Sequence, residues 1–79
     1  MIYGIYSMYD KVAEFHTSFN LDHNDNSAMR NFRQALSSAE FKIRGEDFDL
    51  YKHGTFDNET GELVSIKPEI IMKGVSVDE

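Results

Sequence analysis

Asp25-Asn26-Ser27-Ala28-Met29-Arg30-Asn31-Phe32-Arg33-Gln34-Ala35-Leu36-Ser37-Ser38 is the one stretch of this chain with a sustained helical period. Ala28, Phe32, Ala35 and Leu36 fall at i, i+4, i+7 and i+8, with Met29 beside them, which lines them along one side of a helix. Asp25, Asn26 or Ser27 is placed to cap the N-terminus by accepting a bond from a free backbone N–H. Arg30, Arg33, Gln34 and Ser37 lie off the apolar stripe and are expected to face solvent. Arg30 and Arg33 are three apart, so they are neighbours on that surface. Ser37-Ser38 weakens the helix and ends it there or at Ala39.

The flanking segments read as strands that need such a helix to pack on. Residues 2–9, Ile-Tyr-Gly-Ile-Tyr-Ser-Met-Tyr, are aromatic and β-branched, with Ile2, Tyr6 and Met8 on one face and Tyr3, Ile5 and Tyr9 on the other. Two apolar faces suit a central strand, or one whose second face meets a partner subunit. Gly4 inside it marks a bulge or a close approach by another backbone. Residues 10–13 form a turn opened by an Asx side chain, and residues 13–19 return as a short or irregular strand. Asp22-His23-Asn24-Asp25-Asn26 is a loop of turn formers.

After the helix, residues 40–44 alternate and read as a short edge strand or an extended connection. Gly45-Glu46-Asp47 is a turn, and residues 48–56 form the second strong strand, with Phe48 and Leu50 on one face and Tyr51 on the other. Residues 57–62 carry the best hairpin signal, with Asx residues opening it and Gly61 available for a positive φ. Residues 63–66 return as its partner. Pro68, which cannot donate to a ladder, is expected to stop that strand. Residues 70–72 are an apolar patch without a clear period, and 74–79 read as a terminal tail. The expected fold is therefore one α+β domain over residues 1–79, a mostly antiparallel sheet of three to five strands with one helix packed on a face.

Seventy-nine residues are near the size at which one core only just suffices. A homodimer is expected, because apolar strand faces in so short a chain need cover. With no cysteine, disulfides and thiolate metal sites are excluded. The N-terminus does not read as a signal peptide, and no apolar run approaches the ~20 residues of a membrane span.

The net charge of −6 weighs against simple electrostatic binding of nucleic acid. Its distribution is uneven: residues 1–26 sum to −3, 27–45 to +3, 46–62 to −5 and 63–79 to −1. The one cationic segment holds Arg30, Arg33, Lys42 and Arg44 against Glu40. A solvated helix face with ordinary salt bridges explains this pattern, and phosphate contact explains it as well.

Other chemistry finds little purchase. Asp22-x-Asn24-x-Asn26 opens like a calcium loop, but Ser27 stands where the glycine is needed and Arg33 where the bidentate glutamate is needed. His16, His23 and His53 lack metal-ligand spacing. Six acidic residues in 46–62 sit around turns and read as a solvated rim rather than paired catalytic carboxylates. No phosphate loop, nucleophile elbow or HExxH is present, so no enzyme, cofactor or metal is expected. Exposed members of Tyr3, Tyr9, Phe15 and Tyr51 are able to stack on unpaired bases, although a chain this small also needs aromatics in its core or at a dimer interface.

Several stretches together show a family pattern. Residues 5–15, Ile-Tyr-Ser-Met-Tyr-Asp-Lys-Val-Ala-Glu-Phe, resemble the opening of the small nonstructural protein of microviruses, especially of the gokushovirus branch. Ala28-x-Arg30-x-Phe32 resembles that family's Ala-x-Arg-x-Phe helix. Asp47-Phe48-Asp49-Leu50-Tyr51-x-x-Gly54-x-Phe56-Asp57-x-x-Thr60-Gly61 resembles its hairpin segment. Ser18 and Glu46 stand where the family usually or often has proline, which bears on loop rigidity.

The resemblance implies a nonstructural protein of a small single-stranded DNA bacteriophage, DNA-binding and associated with production of progeny single strands in the bacterial host cytoplasm. Among the cations only Arg30 lies inside a family motif. Arg33, Lys42, Arg44 and Lys52 are added on charge and Tyr51 as a stacking aromatic. The expected partner is single-stranded DNA. The alternative is an interaction module for a phage replication or capsid protein that touches no DNA.

Overall fold

β1, Ile2–Asp10, is the strand around which the sheet is laid out, with neighbours on both edges. The computed structural model describes residues 1–38 and 45–75. Within them the elements run β1, β2 (Phe15–His16), β3 (Asn20–Asp22), α1 (Asp25–Leu36), a 3₁₀ turn (Gly45–Asp47), β4 (Phe48–Asp57) and β5 (Leu63–Lys73). β2 and β3 share one edge of β1, β4 lies on its other edge, and β5 lies outside β4. Every pairing is antiparallel. The result is the α+β architecture expected, a five-stranded antiparallel sheet with one helix.

Local chemistry explains the turns. Asp10 Oδ1 accepts from the backbone N–H groups of Val12 and Ala13, which closes the β1–β2 turn as an Asx turn. The return is irregular: Thr17 bridges β2 and β3, bonding to Met8 through both its N–H and its hydroxyl. At the β4–β5 hairpin Asp57 Oδ1 accepts from the Glu59 N–H, and Gly61 takes a φ of 80° that glycine adopts without strain.

α1 bridges from β3 across β1 to the β4 side. Its cap is Asn24, one residue before the three candidates, because Asn24 has extended backbone and accepts from the Ser27 N–H at 2.8 Å. Ala28, Phe32 and Leu36 are buried as the period predicts. With Tyr6 of β1 and Leu50 of β4 they form the core, flanked by Met8, Met29, Phe48, Ile71 and Met72. Asp22, itself buried, accepts from Asn31 Nδ2 at 2.7 Å and so ties β3 to the middle of the helix.

Three more expectations are corrected. Pro68 does not end a strand: β5 runs through it. β5 is the outer strand, and its register slips at the proline, with Lys52 opposite Glu69 but Gly54 opposite Ser65. His53 thus faces residues 66–68, where a missing N–H breaks no ladder bond. Gly4 is not approached by another backbone. The Tyr6 ring of the same strand lies over it, in the space a Cβ would need. The bulge comes one step later, between Ile5 and Tyr6, where β4 carries His53 as an extra residue. Finally, Gly74 is no tail residue, since its N–H donates to the Phe48 carbonyl and to Asp49 Oδ1. The expected strand at 40–44 and the end of the tail at 76–79 lie outside the described residues.

Candidate nucleic-acid interface

The helix buries one side on the sheet and turns Arg30 and Arg33 outward, both exposed. Among the described residues the Arg30 side chain has no hydrogen bond or ion pair. Arg33 Nη1 reaches only Met72 Sδ on β5, at 3.7 Å, a weak acceptor that leaves the charge uncompensated. Lys11 is engaged with Asp49 at 3.6 Å and the N-terminal ammonium with Glu59 at 3.2 Å, whereas Lys67 and Lys73 on β5, like the two arginines, have no carboxylate partner among the described residues. Lys42 and Arg44 lie outside the described residues.

Lys52 belongs to a different network. Its ammonium is 3.0 Å from Asp25 Oδ1, the same oxygen that accepts the Tyr6 hydroxyl at 2.6 Å, and it sits 5.9 Å from the Tyr6 ring centre. The Tyr6 bond holds the Asp25 carboxyl below the usual range against its partial burial, and Lys52 adds to that. Burial first, then the hydrogen bond to Asp25 and the Asp25 charge, push the Tyr6 hydroxyl far above its ordinary value. These groups border an open cleft of about 540 Å³ beside the start of α1. Lys52 is thereby neutralised by a carboxylate, which makes it a poorer phosphate ligand than Arg30.

Tyr51 is on the other side of the sheet. It adjoins Lys52 in β4, and successive side chains of a strand point to opposite faces. Its ring packs edge-on to Tyr9 at 6.0 Å and to His16 at 5.1 Å. Beneath them Ser7, with no exposed surface, sets its hydroxyl 2.8 Å from His16 Nδ1 and 2.7 Å from His53 Nε2. One hydroxyl proton serves only one ring, so the other ring must donate to Ser7 Oγ. Burial, then the neighbouring His16, lowers the His53 pKa, which keeps that ring neutral. Buried this way, Ser7 is a structural wedge, closed to any substrate. The face continues as an apolar groove of about 210 Å³ lined by Ile5, Phe19, His53, Leu63, Ser65 and Ile66. The predicted contacts therefore separate, with Arg30, Arg33 and Lys52 on the helix side and Tyr51 on the open side.

A family model described as Phage ORF5 protein matches residues 3–77, nearly the whole chain. The chain belongs to the phage ORF5 protein family. No curated protein and no solved structure matches it. The matched span takes in both sides of this ORF5 protein, the arginine face of α1 and the aromatic face of the sheet.

The sequence of this ORF5 protein did not point to the Ser7–His16–His53 cluster, since the histidines show no metal-ligand spacing. The available signal was Ser7, the one polar side chain among the aromatic and aliphatic residues of β1 before its terminal Asp10. Knowing that two histidines converge on it requires the β1–β4 register, including the bulge at His53. Among the described residues no group of three or more His, Asp or Glu is placed to hold a metal ion. Among the described residues no helix is long and apolar enough to cross a membrane.

Proposed function

We propose that this phage protein is a non-catalytic nonstructural protein that binds single-stranded DNA during genome replication or progeny-strand synthesis of a gokushovirus-like microvirus, in the host cytoplasm. The observation that carries the reading is the uncompensated pair Arg30 and Arg33 on the outer side of α1. In an acidic chain, cations left without carboxylate partners are the ones able to exchange counterions for phosphates. Lys42 and Arg44 follow in the same net-positive segment and extend the reading along the chain. Stacking by Tyr51 belongs to the opposite face, so a single strand using both would have to pass around a sheet edge.

Titration of a labelled single-stranded oligonucleotide at two salt concentrations tests this. Affinity should fall with salt, and Arg30→Ala with Arg33→Ala should reduce the log–log slope by about 1.4, from ~0.7 per phosphate contact on single strands. Circular dichroism should show the double variant folded, since neither side chain is in the core. Absence of binding at low salt, or affinity indifferent to salt, would sink phosphate contact. The net charge of −6 and the apolar open face favour a second reading, a module that binds a phage replication or capsid protein without touching DNA.

A further inference from the structure

The core of this protein uses only one face of the sheet. On the other face Phe19 and Leu63 are each 65 % exposed, and Leu21, Ile66 and Ile70 are exposed beside them. Register confirms the shared side: Leu21 lies opposite Ile5, Ile70 opposite Tyr51, and Leu63 opposite Phe56. An apolar strip of this extent, continuous with the Tyr9–Tyr51–His16 ring cluster, marks an interaction surface.

We infer that a second copy of this chain covers the open face, sheet against sheet, across a two-fold axis. Charge argues against a polyanion there: the groove and the ring cluster contain no lysine or arginine to meet phosphates, and Lys73, which the register places on that side, lies opposite Asp49. A groove without Asp, Glu, Lys or Arg meets its own copy without charge mismatch, as a self-complementary two-fold contact requires. The size fits as well. The molecule measures 43 × 22 × 16 Å, so its broad side is of the same order as the ~800 Å² that a standard interface covers on each partner. Two sheets packed this way lie ~10 Å apart with interdigitated side chains, and the groove beside Phe19 and Leu63 receives the partner's projecting residues.

The arrangement places both α1 helices on the outside, with Arg30 and Arg33 of each copy facing away from the axis. It also withdraws Tyr9 and Tyr51 from any nucleic acid. The inference rests on the open face alone and stands or falls apart from DNA binding.

Sedimentation equilibrium of the full chain, without DNA, tests it. The expected mass is about twice 9.1 kDa. Leu63→Lys buries an unpaired charge in the interface and should weaken the dimer about a hundredfold, since an uncompensated buried charge costs several kcal/mol. Phe19→Glu should do the same with the opposite charge. Both positions are solvent-exposed in the single chain, so circular dichroism should show both variants folded. Arg30→Ala with Arg33→Ala should leave the dimer intact. A wild-type monomer at every concentration overturns the inference. So does a folded Leu63→Lys that stays dimeric, or one that stays monomeric like wild type while altering oligonucleotide affinity, which would make the face a DNA surface.

Discussion

At the residue scale, Gly4 shows how one missing side chain sets a site. The Tyr6 ring occupies the volume above Gly4, and that placement lets its hydroxyl reach Asp25 while its ring packs on Ala28 and Phe32. Gly4→Ala drives a methyl into a buried ring that cannot swing away without breaking the Asp25 bond. Overpacking of this kind costs ~1–3 kcal/mol, and loss at the upper end is expected because a buried hydrogen bond goes with it. Urea denaturation of the variant against wild type measures it. An unchanged midpoint would mean that the Tyr6 ring has room to move.

At the element scale, α1 is held by a few polar contacts as well as by its apolar stripe. Asn24 supplies the cap, and Asn24→Ala should cost ~1 kcal/mol in the same denaturation experiment, as capping losses do. Asp25→Ala disturbs a different contact, the Tyr6–Lys52 network, so separate effects from the two variants would confirm that Asn24 is the cap. How legible these elements were in the sequence follows from the physics of each. The helix could be read because four apolar residues repeat with a 3.6-residue period, and β1 and β4 because aromatic and β-branched residues cluster in them. β2 and β3 blurred into one irregular return, since strands of two and three residues carry no period. Pro68 misled because its effect depends on whether the strand has a neighbour on that side, which is a property of the sheet. The division of the site was implicit in Tyr51-Lys52, two adjacent residues of one strand. The Ser7–His16–His53 cluster was not, because a bulge brings His53 into place.

At the scale of the whole molecule, the perturbed groups predict how stability varies with pH. His53 is held below its ordinary 6.5, and Asp22 and Asp25 are held below their ordinary 3.8. For Asp22, burial works upward, but the bonds from Asn31, Ser27 and the His23 N–H outweigh it. Below pH 6.5 the unfolded chain takes up a proton at His53 that the folded protein resists, so the unfolded state binds more protons and stability falls with pH. The aspartates act in the same direction lower down: their contribution is complete above 3.8 and is lost as pH falls through their folded values. Thermal unfolding at fixed protein concentration should therefore show a plateau from neutrality up to pH 10.0, where the raised Tyr6 hydroxyl turns stability downward, a first decline below pH 6.5 and a steeper one below 3.8. His53→Gln carries no titrating ring and should flatten the first decline while leaving the second. Persistence of the first decline in that variant would rule out His53 as its source. Because His53 lies beneath the face assigned to the dimer, a first decline that deepens at higher protein concentration would tie its neutrality to association, since dimerisation stabilises the folded chain by mass action.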